Sequence, residues 1–408
     1  MKKVFAVCLS VMLAVFAFTA CSSNGTTNEA ANIASETEPS LQEQNKDLDE
    51  DYMTMYYADQ FLTTQNDTLP KKAENGCYYF VELRSGTRYI YRLTSAEFAK
   101  SCQSSQLWTQ SDENFTWNYG TRFVNLDTLT GFEGGVFTQI YQNYIYVYGE
   151  NQNLIYKINC DDPEDVTTIR LTFAPHCFFF YDDKIYYVLS IEPTVENQPD
   201  HIAIYQSDLN GSNTKTVIDG ADGFANAKND EIYHVYASSG YLYFILRDDG
   251  FQSNVFLYCR CRLDGTEKEV WRVFDGLSSL AVNDKYVASL TMSYDDEVLS
   301  GLSLSVKIFD VQNLSEIKSF SVTLDEDIAE SVLLFPFMYV GNTIVSDLLG
   351  YTDTGNLSQE ISINTDTESI NISTYDGLLV RPAHDERFSL KVTGDDSFIT
   401  AYYEKIVS

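Results

Sequence analysis

Proline is scarce, at 8 of 408 residues, and tryptophan (3) and histidine (4) are scarcer. Few prolines and no sustained helical period leave short extended segments as the main local signal. Positive charge is also in short supply: 27 Lys and Arg face 59 Asp and Glu, for a formal net charge of -32. A surface this negative repels phosphate backbones and anionic headgroups, which argues against nucleic acid as a partner and favours cations or basic surfaces. After the first twenty residues no apolar run of 18 or more occurs, so no later segment reads as a membrane-spanning helix. G-x-S-x-G, P-loop, dinucleotide and HExxH motifs are all absent, so no local pattern assigns a chemistry. Apolar residues nonetheless make up 44% of the chain, enough for a substantial core.

The N-terminus has its own organisation. Lys2 and Lys3 precede an apolar run of fifteen, Val4 to Phe18, which is too short for a comfortable span and suits a secretory leader. Phe18-Thr19-Ala20-Cys21 then resembles the lipobox of bacterial lipoproteins, with Phe18 where leucine is usual. That resemblance implies cleavage before Cys21, a diacylglycerol thioether on Cys21, and anchoring of the acylated chain to the outer face of the cell membrane. Residues 1–20 are thus expected to be a signal peptide. Residues 21–51 are polar, poor in aromatics and acidic at their end, as expected of a disordered tether. As a flexible coil such a tether spans roughly 30 Å root-mean-square.

Residues 52–408 change character and are expected to form one domain. Short runs rich in Tyr, Ile, Val, Phe and Leu alternate with turns rich in Asp, Asn and Gly. "NYIYVY" (143–148) is followed by "LIYKIN" (154–159), "DKIYYVL" (183–189) by "IAIYQSDLNG" (202–211), and "GYLYFIL" (240–246) by "FLYCRCRLDG" (256–265). "DKYVASL" (284–290) precedes "LSVKIFDVQN" (304–313), "CYYFVEL" (77–83) precedes "RYIYRL" (88–93), and "NTIVSDLL" and "DGLLVR" begin weaker copies. Taken as first strands, these units start near Cys77, Tyr144, Lys184, Tyr241, Tyr286, Asn342 and Asp376, at spacings scattered around those of propeller blades. In "DKIYYVL", Ile185, Tyr187 and Leu189 share one face and Tyr186 and Val188 the other, so both faces are apolar. A strand between two neighbouring sheets needs that, whereas a one-sided sheet alternates apolar with polar. The expectation is an all-β propeller of about seven blades (six to eight), closed by residues 52–62 returning beside the strand around 397–406. "QSDENFTW" (110–117) resembles the Asp-box hairpin of sialidase-type propellers, a likeness that speaks for fold and not for activity. The leader, lipobox, tether and Tyr-rich blades together resemble the propeller-like lipoproteins of anaerobic Gram-positive bacteria.

Candidate site residues are few. Trp108 and Trp117, in the long insert before the second unit, are the aromatics expected to contact a ligand. The acid clusters 161–165, 293–297, 325–327 and 394–396, and the "DLNGSN" turn at 208–213, invite a calcium reading. Turn chemistry accounts for them better, because the EF-type spacing of Gly and terminal Glu is not met. No cofactor is therefore implied. His384 beside Asp385 and Glu386 reads as a solvated loop. With Cys8 lost and Cys21 acylated, Cys77, Cys102, Cys160, Cys177, Cys259 and Cys261 remain, an even number at irregular spacing, read as buried or free thiols. A zinc site uniting Cys177, His176, Cys259 and Cys261 would require those segments to meet. The functional expectation is an anchored surface lipoprotein whose propeller binds a protein or glycan without catalysis. The alternative is a glycan or cell-wall hydrolase with carboxylates near the axis.

Overall fold

The computed structural model describes residues 70–405, apart from 85–86, 105–106, 112–113, 130–131, 133–135, 150–151, 190–202, 221–223, 225–230, 248–254, 276, 295–301, 325–331, 335–336, 353–354, 376–377, 384–385 and 395–397. The signal peptide, Cys21, the tether and residues 52–62 lie outside the described residues. The chain divides at Tyr56/Tyr57, and everything below concerns the second unit.

Its strands form seven antiparallel sheets, as expected of a seven-bladed propeller. Blade 1 contains β1 (Lys71–Lys72), β2 (Tyr78–Arg84) and β3 (Thr87–Leu93). Helix α1 (Ser95–Ser104) and the hairpin β4 (Trp108–Ser111) and β5 (Asn114–Trp117) intervene before its fourth strand, β6 (Thr121–Asn125). Blade 2 is β7 (Val136–Tyr141), β8 (Tyr144–Gly149), β9 (Leu154–Asn159) and β10 (Val166–Arg170). Blade 3 is β11 (Pro175–Tyr181), β12 (Lys184–Leu189), β13 (Ala203–Asp208) and β14 (Lys215–Asp219). Blade 4 is β15 (Glu231–Ser238), β16 (Tyr241–Arg247), β17 (Val255–Arg262) and β18 (Glu269–Asp275). Blade 5 is β19 (Leu277–Val282), β20 (Tyr286–Tyr294), β21 (Leu302–Asp310) and β22 (Glu316–Leu324). In blade 6 the first strand is split into β23 (Val332–Leu334) and β24 (Met338–Val340), both paired with β25 (Thr343–Thr352), followed by β26 (Gly355–Asn364) and β27 (Ser369–Tyr375). Blade 7 is β28 (Leu378–Ala383), β29 (Glu386–Gly394) and β30 (Phe398–Lys405), completed by β4 and β5.

The two-sided apolar pattern has the cause the sequence suggested. Along β8, Ile145 and Val147 enter the cluster shared with blade 1, while Tyr146 and Tyr148 enter the cluster shared with blade 3. Along β12, Ile185, Tyr187 and Leu189 face blade 2, and Tyr186 and Val188 face blade 4. Each middle strand thus carries two cores, one per neighbour, and both are dry.

One expectation needs correction. The repeated Tyr-rich strand is the second strand of the blade, not the first; only the start near Asp376 marks a first strand. The last strand has a partner that the sequence did not suggest. Along Phe398–Ala401, β30 pairs with β29 on one edge and with Ser111–Trp108 of β4 on the other; residues 52–62, expected there, lie outside the described residues. The circle closes through a hairpin inserted in blade 1, and β1 lies beside both β7 and β28. Helix α1 secures that junction. Thr94 and Glu97 form a capping box, Thr94 Oγ1 accepting from Glu97 N and Thr94 N donating to the Glu97 carboxylate at 2.9 Å. Phe98 then stacks on Tyr78 of blade 1, with centroids 4.0 Å apart, and meets Phe388 of blade 7 edge-on at 4.8 Å.

Tyrosine hydroxyls tie blades together. Tyr79, Tyr146 and Tyr243 stand at matching positions of second strands, opposite Arg92, Lys157 and Arg260. Tyr79 donates to Cys160 O at 2.6 Å and Tyr243 to Val311 O, each in the turn after the third strand of the next blade. Tyr146 is equally buried, but its hydroxyl has no partner among the described residues. Tyr243→Phe is therefore expected to cost about 1–3 kcal/mol, since the Val311 carbonyl loses its donor in a dry site. Tyr146→Phe is expected to be neutral within about 0.5 kcal/mol, because it removes only an unpaired hydroxyl. Paired urea titrations compare the two; equal losses would contradict the assignment.

Candidate functional site

Antiparallel order places two kinds of connection at opposite ends of the sheets. First-to-second and third-to-fourth turns share one end; second-to-third connections and the crossings between blades share the other. Apart from the 94–120 insert of blade 1, which holds α1 and the closing hairpin, the turn end is built from short, self-satisfied segments. Asp161 accepts from Asn75 at 2.9 Å and from Asn143 at 2.8 Å, and Asp165 accepts from Asn159. Gln142 donates to Asp183, joining the first turns of blades 2 and 3, and Ser238 donates to Asn283 O, joining those of blades 4 and 5. In the "DLNGSN" turn, Asp208 binds Lys184 at 2.5 Å and also receives Asn213 and Ser212. The Lys184 ammonium, aided by Asn213, holds the Asp208 carboxyl at about 2, below its ordinary value. The clusters at 161–165 and 208–213 are thus occupied with turn construction, as their spacing indicated.

The other end carries the long connections. At this end residues 190–202, 220–230 and 126–135 are the longest, followed by 248–254, 295–301 and 325–331, whereas the first-to-second turns of blades 2, 3, 4 and 6 use two residues each. Across 190–202, 248–254, 295–301 and 325–331 the sequence has twelve Asp or Glu and no Lys or Arg. These segments belong to consecutive blades 3 to 6. Variable connections on a rigid scaffold are where binding residues concentrate, so this end is the candidate site.

The sequence-predicted residues are placed as follows. Trp108 and Trp117 are register partners on β4 and β5, in the hairpin that closes the circle. The Asp-box likeness falls on this same hairpin. His176 lies on β11 and His234 on β15; His201, His384 and Asp385 lie outside the described residues, as do the acids of 295–297, 325–327 and 395–396. Cys177, Cys259 and Cys261 do come together, in the core between blades 3 and 4, with Cys259 and Cys261 fully buried. Burial pushes the Cys261 thiol up to about 12, so it acts as a small apolar side chain. Among the described residues no three His, Cys, Asp or Glu side chains gather as a metal would require.

Two buried carboxylates were not anticipated. Glu82 on β2 and Glu360 on β26 are almost wholly enclosed, and both alternate with residues packed on the opposite neighbour. They therefore face blade 7 from its two sides, one from blade 1 and one from blade 6. Being on second and third strands, in different blades, they do not form an axial carboxylate pair. A cavity of about 10 Å³ lies between blades 1 and 2, lined by Lys71, Thr138, Tyr79 and Ile145 among others. It has room for a single water and not for a sugar.

No family model matches the sequence, and no curated protein matches it. Solved β-propellers are similar in fold. Prolyl oligopeptidase B from Galerina marginata, bound to a 35mer hydrolysis and macrocyclization substrate, is 13% identical, with 90% of this chain and 55% of that chain covered and a TM-score of 0.51. Kluyveromyces lactis Hsv2 is 12% identical over 84% of this chain and 98% of that chain, with a TM-score of 0.40. At such identities the likeness speaks for the fold alone.

Proposed function

We propose that the protein is a membrane-anchored surface lipoprotein, held by acylated Cys21, whose propeller binds a protein partner with a basic surface through the long-connection end of blades 3 to 6. One observation carries the reading: in 190–202, 248–254, 295–301 and 325–331 connection length coincides with acidic sequence that contains no Lys or Arg, while the acids of the opposite end are spent on turns and on Lys184, Arg262 and Lys318. Charge of one sign over such an end speeds encounter with an oppositely charged partner and selects against like-charged ones. The tether would let the propeller stand clear of the lipid surface while it captures a partner. A glycan is the other ligand class such an end accommodates, and it would bind with little dependence on salt.

The test is capture from an envelope extract by the chain from residue 52 onward, compared with a variant carrying Asp295→Asn, Asp296→Asn, Glu297→Gln, Asp325→Asn, Glu326→Gln and Asp327→Asn. Retention of a basic protein that falls at least tenfold in the variant, and falls with rising salt, is expected. Equal retention by both chains, or cleavage of wall glycan without retention, would overturn it. Anchoring is read separately: Cys21→Ser should move the full chain from the membrane to the soluble fraction.

A further inference from the structure

The thiols of Cys77 and Cys160 sit on opposite sides of the junction between blades 1 and 2. Cys160 follows the last residue of β9 and is fully buried in the cluster formed by the two blades; Cys77 precedes the first residue of β2, is half-buried, and packs against that same cluster. Residues on either side of Cys77 both reach the Cys160 backbone. Asn75, two positions before it, donates to Cys160 O at 3.3 Å, and Tyr79, two positions after it, donates to the same oxygen at 2.6 Å. Cys77 N in turn donates to Asn75 Oδ1 at 2.9 Å, closing the turn over the junction. Alternation along the strand puts Cys77 on the face of Tyr79 and Val81, which is the face turned to blade 2. The Cys160 backbone is held from its own blade as well, its N–H donating to Asn143 O at 3.0 Å. Two cysteines thus border one inter-blade cluster, with four hydrogen bonds holding the backbone and side chains around them.

From this placement we infer that Cys77 and Cys160 are a redox pair that closes to a disulfide, stapling blade 1 to blade 2, when a disulfide oxidant reaches Cys77. The step balances without a metal or cofactor. The Cys77 thiolate attacks the oxidant's S–S bond, which breaks and releases one thiol, leaving a mixed disulfide on Cys77. The Cys160 thiolate then attacks the Cys77 sulfur and expels the second thiol. Two protein thiols are oxidised to one disulfide, and one small disulfide is reduced to two thiols. Cys77 is the accessible member and Cys160 the resolving one. Burial pushes Cys160 up to about 12, the Asp161 carboxylate adds to it, and a charge on Cys77 adds less, so the second displacement is slow. Exchange on a scale of minutes to hours is expected without a catalyst. The consequence is mechanical. Blade 1 also carries α1 and the closing hairpin, so a covalent bond at its turn end constrains both the circle's start and its closure. A staple of this kind belongs in an oxidising compartment outside the membrane, but its chemistry does not depend on what the opposite end binds.

The experiment uses the full chain, purified reduced and incubated with oxidised glutathione, then alkylated and digested without reduction. A Cys77–Cys160 linked peptide in mass spectra, with loss of two alkylatable thiols and a higher Tm that dithiothreitol reverses, is expected. Cys160→Ser should stop at a glutathione adduct on Cys77, with no rise in Tm. A wild-type chain that accumulates that adduct while Cys160 stays alkylatable would overturn the pairing, as would a link from Cys77 to any other cysteine. Both outcomes leave the binding reading untouched, since neither involves blades 3 to 6.

Discussion

Replacing residues 106–119 with a short Gly-Ser linker is expected to cost the protein most of its folding free energy and its single cooperative transition. The replaced stretch contains β4 and β5, which complete blade 7 from within blade 1. Without them β30 is left as an open edge along Phe398–Ala401, and blade 7 keeps only three strands. Propellers avoid exposed edges by closing, and an open edge of this kind templates association with other chains. Domains of ordinary stability have about 5–15 kcal/mol to lose, and a missing closure removes cross-strand pairing, inter-blade burial and the constraint on circle ends together. A melt followed by circular dichroism should change from one transition to a broad one at much lower temperature, and size-exclusion chromatography should show oligomers. A milder probe of the same junction is Phe98→Ala. Its ring is buried between Tyr78 and Phe388, and its removal is expected to cost about 3–5 kcal/mol. Shortening 190–202 to a comparable linker serves as the control, because that segment only connects β12 to β13 and loops tolerate such changes. Equal damage from both replacements would mean that the hairpin is not the closure.

Much of this architecture was written in local pattern, and the parts that were not have identifiable causes. Strand character and blade number were legible because middle strands such as β8 and β12 are apolar on both faces, and each face has its own neighbour to satisfy. First strands were harder to see. "LSSLAV" in β19 uses Ser and Ala where a second strand uses Tyr, and a search keyed on aromatics passes over it, whereas "PHCFFFY" in β11 is as aromatic as the strand that follows it. The phase of the repeat slipped by one strand, because the Tyr-rich run and its following partner were read as the start of each unit. The long gap between the starts at Cys77 and Tyr144 had its own signal, the Thr94-x-x-Glu97 capping box that announces α1, but not its meaning. Nothing near Trp108 indicates that its strand pairs with Ala401, because the pairing partner is almost at the other terminus and the match is made by a free edge, not by a motif. The same limit applied to Glu82 and Glu360. Each is one polar residue in an apolar strand, and only the packing shows that both are enclosed against blade 7. Turn acids were easier: Asp161 and Asp208 take partners two to five residues away or in the adjoining turn, so their sequence neighbourhood already described their chemistry.

Gly265→Ala is expected to be among the most damaging single substitutions in the chain. The "RLDG" turn after β17 brings Gly265 against the outermost strand of blade 3, and a Cβ there would lie 2.1 Å from Val217 O and 3.0 Å from the Val217 carbonyl carbon. Both are backbone atoms of β14, which can retreat only if blades 3 and 4 separate. The residue also has φ +83°, where an L side chain costs roughly 1–2 kcal/mol before any contact is considered. The "DLNG" turn repeats the arrangement one blade earlier: a Cβ on Gly211, at φ +81°, would lie 2.6 Å from Arg170 O of β10. Gly341 supplies the comparison, since it has φ +61° but nothing within 4 Å of the Cβ position. Gly341→Ala should therefore cost only the conformational term, about 1 kcal/mol, while Gly265→Ala should exceed about 4 kcal/mol and Gly211→Ala should fall between them. Urea midpoints at constant m-value give the order directly. The repeated glycine thus marks where the turn of one blade rests on the edge of the one before it. Three equal losses would show that backbone conformation alone requires glycine there, and that the blades do not meet at these turns.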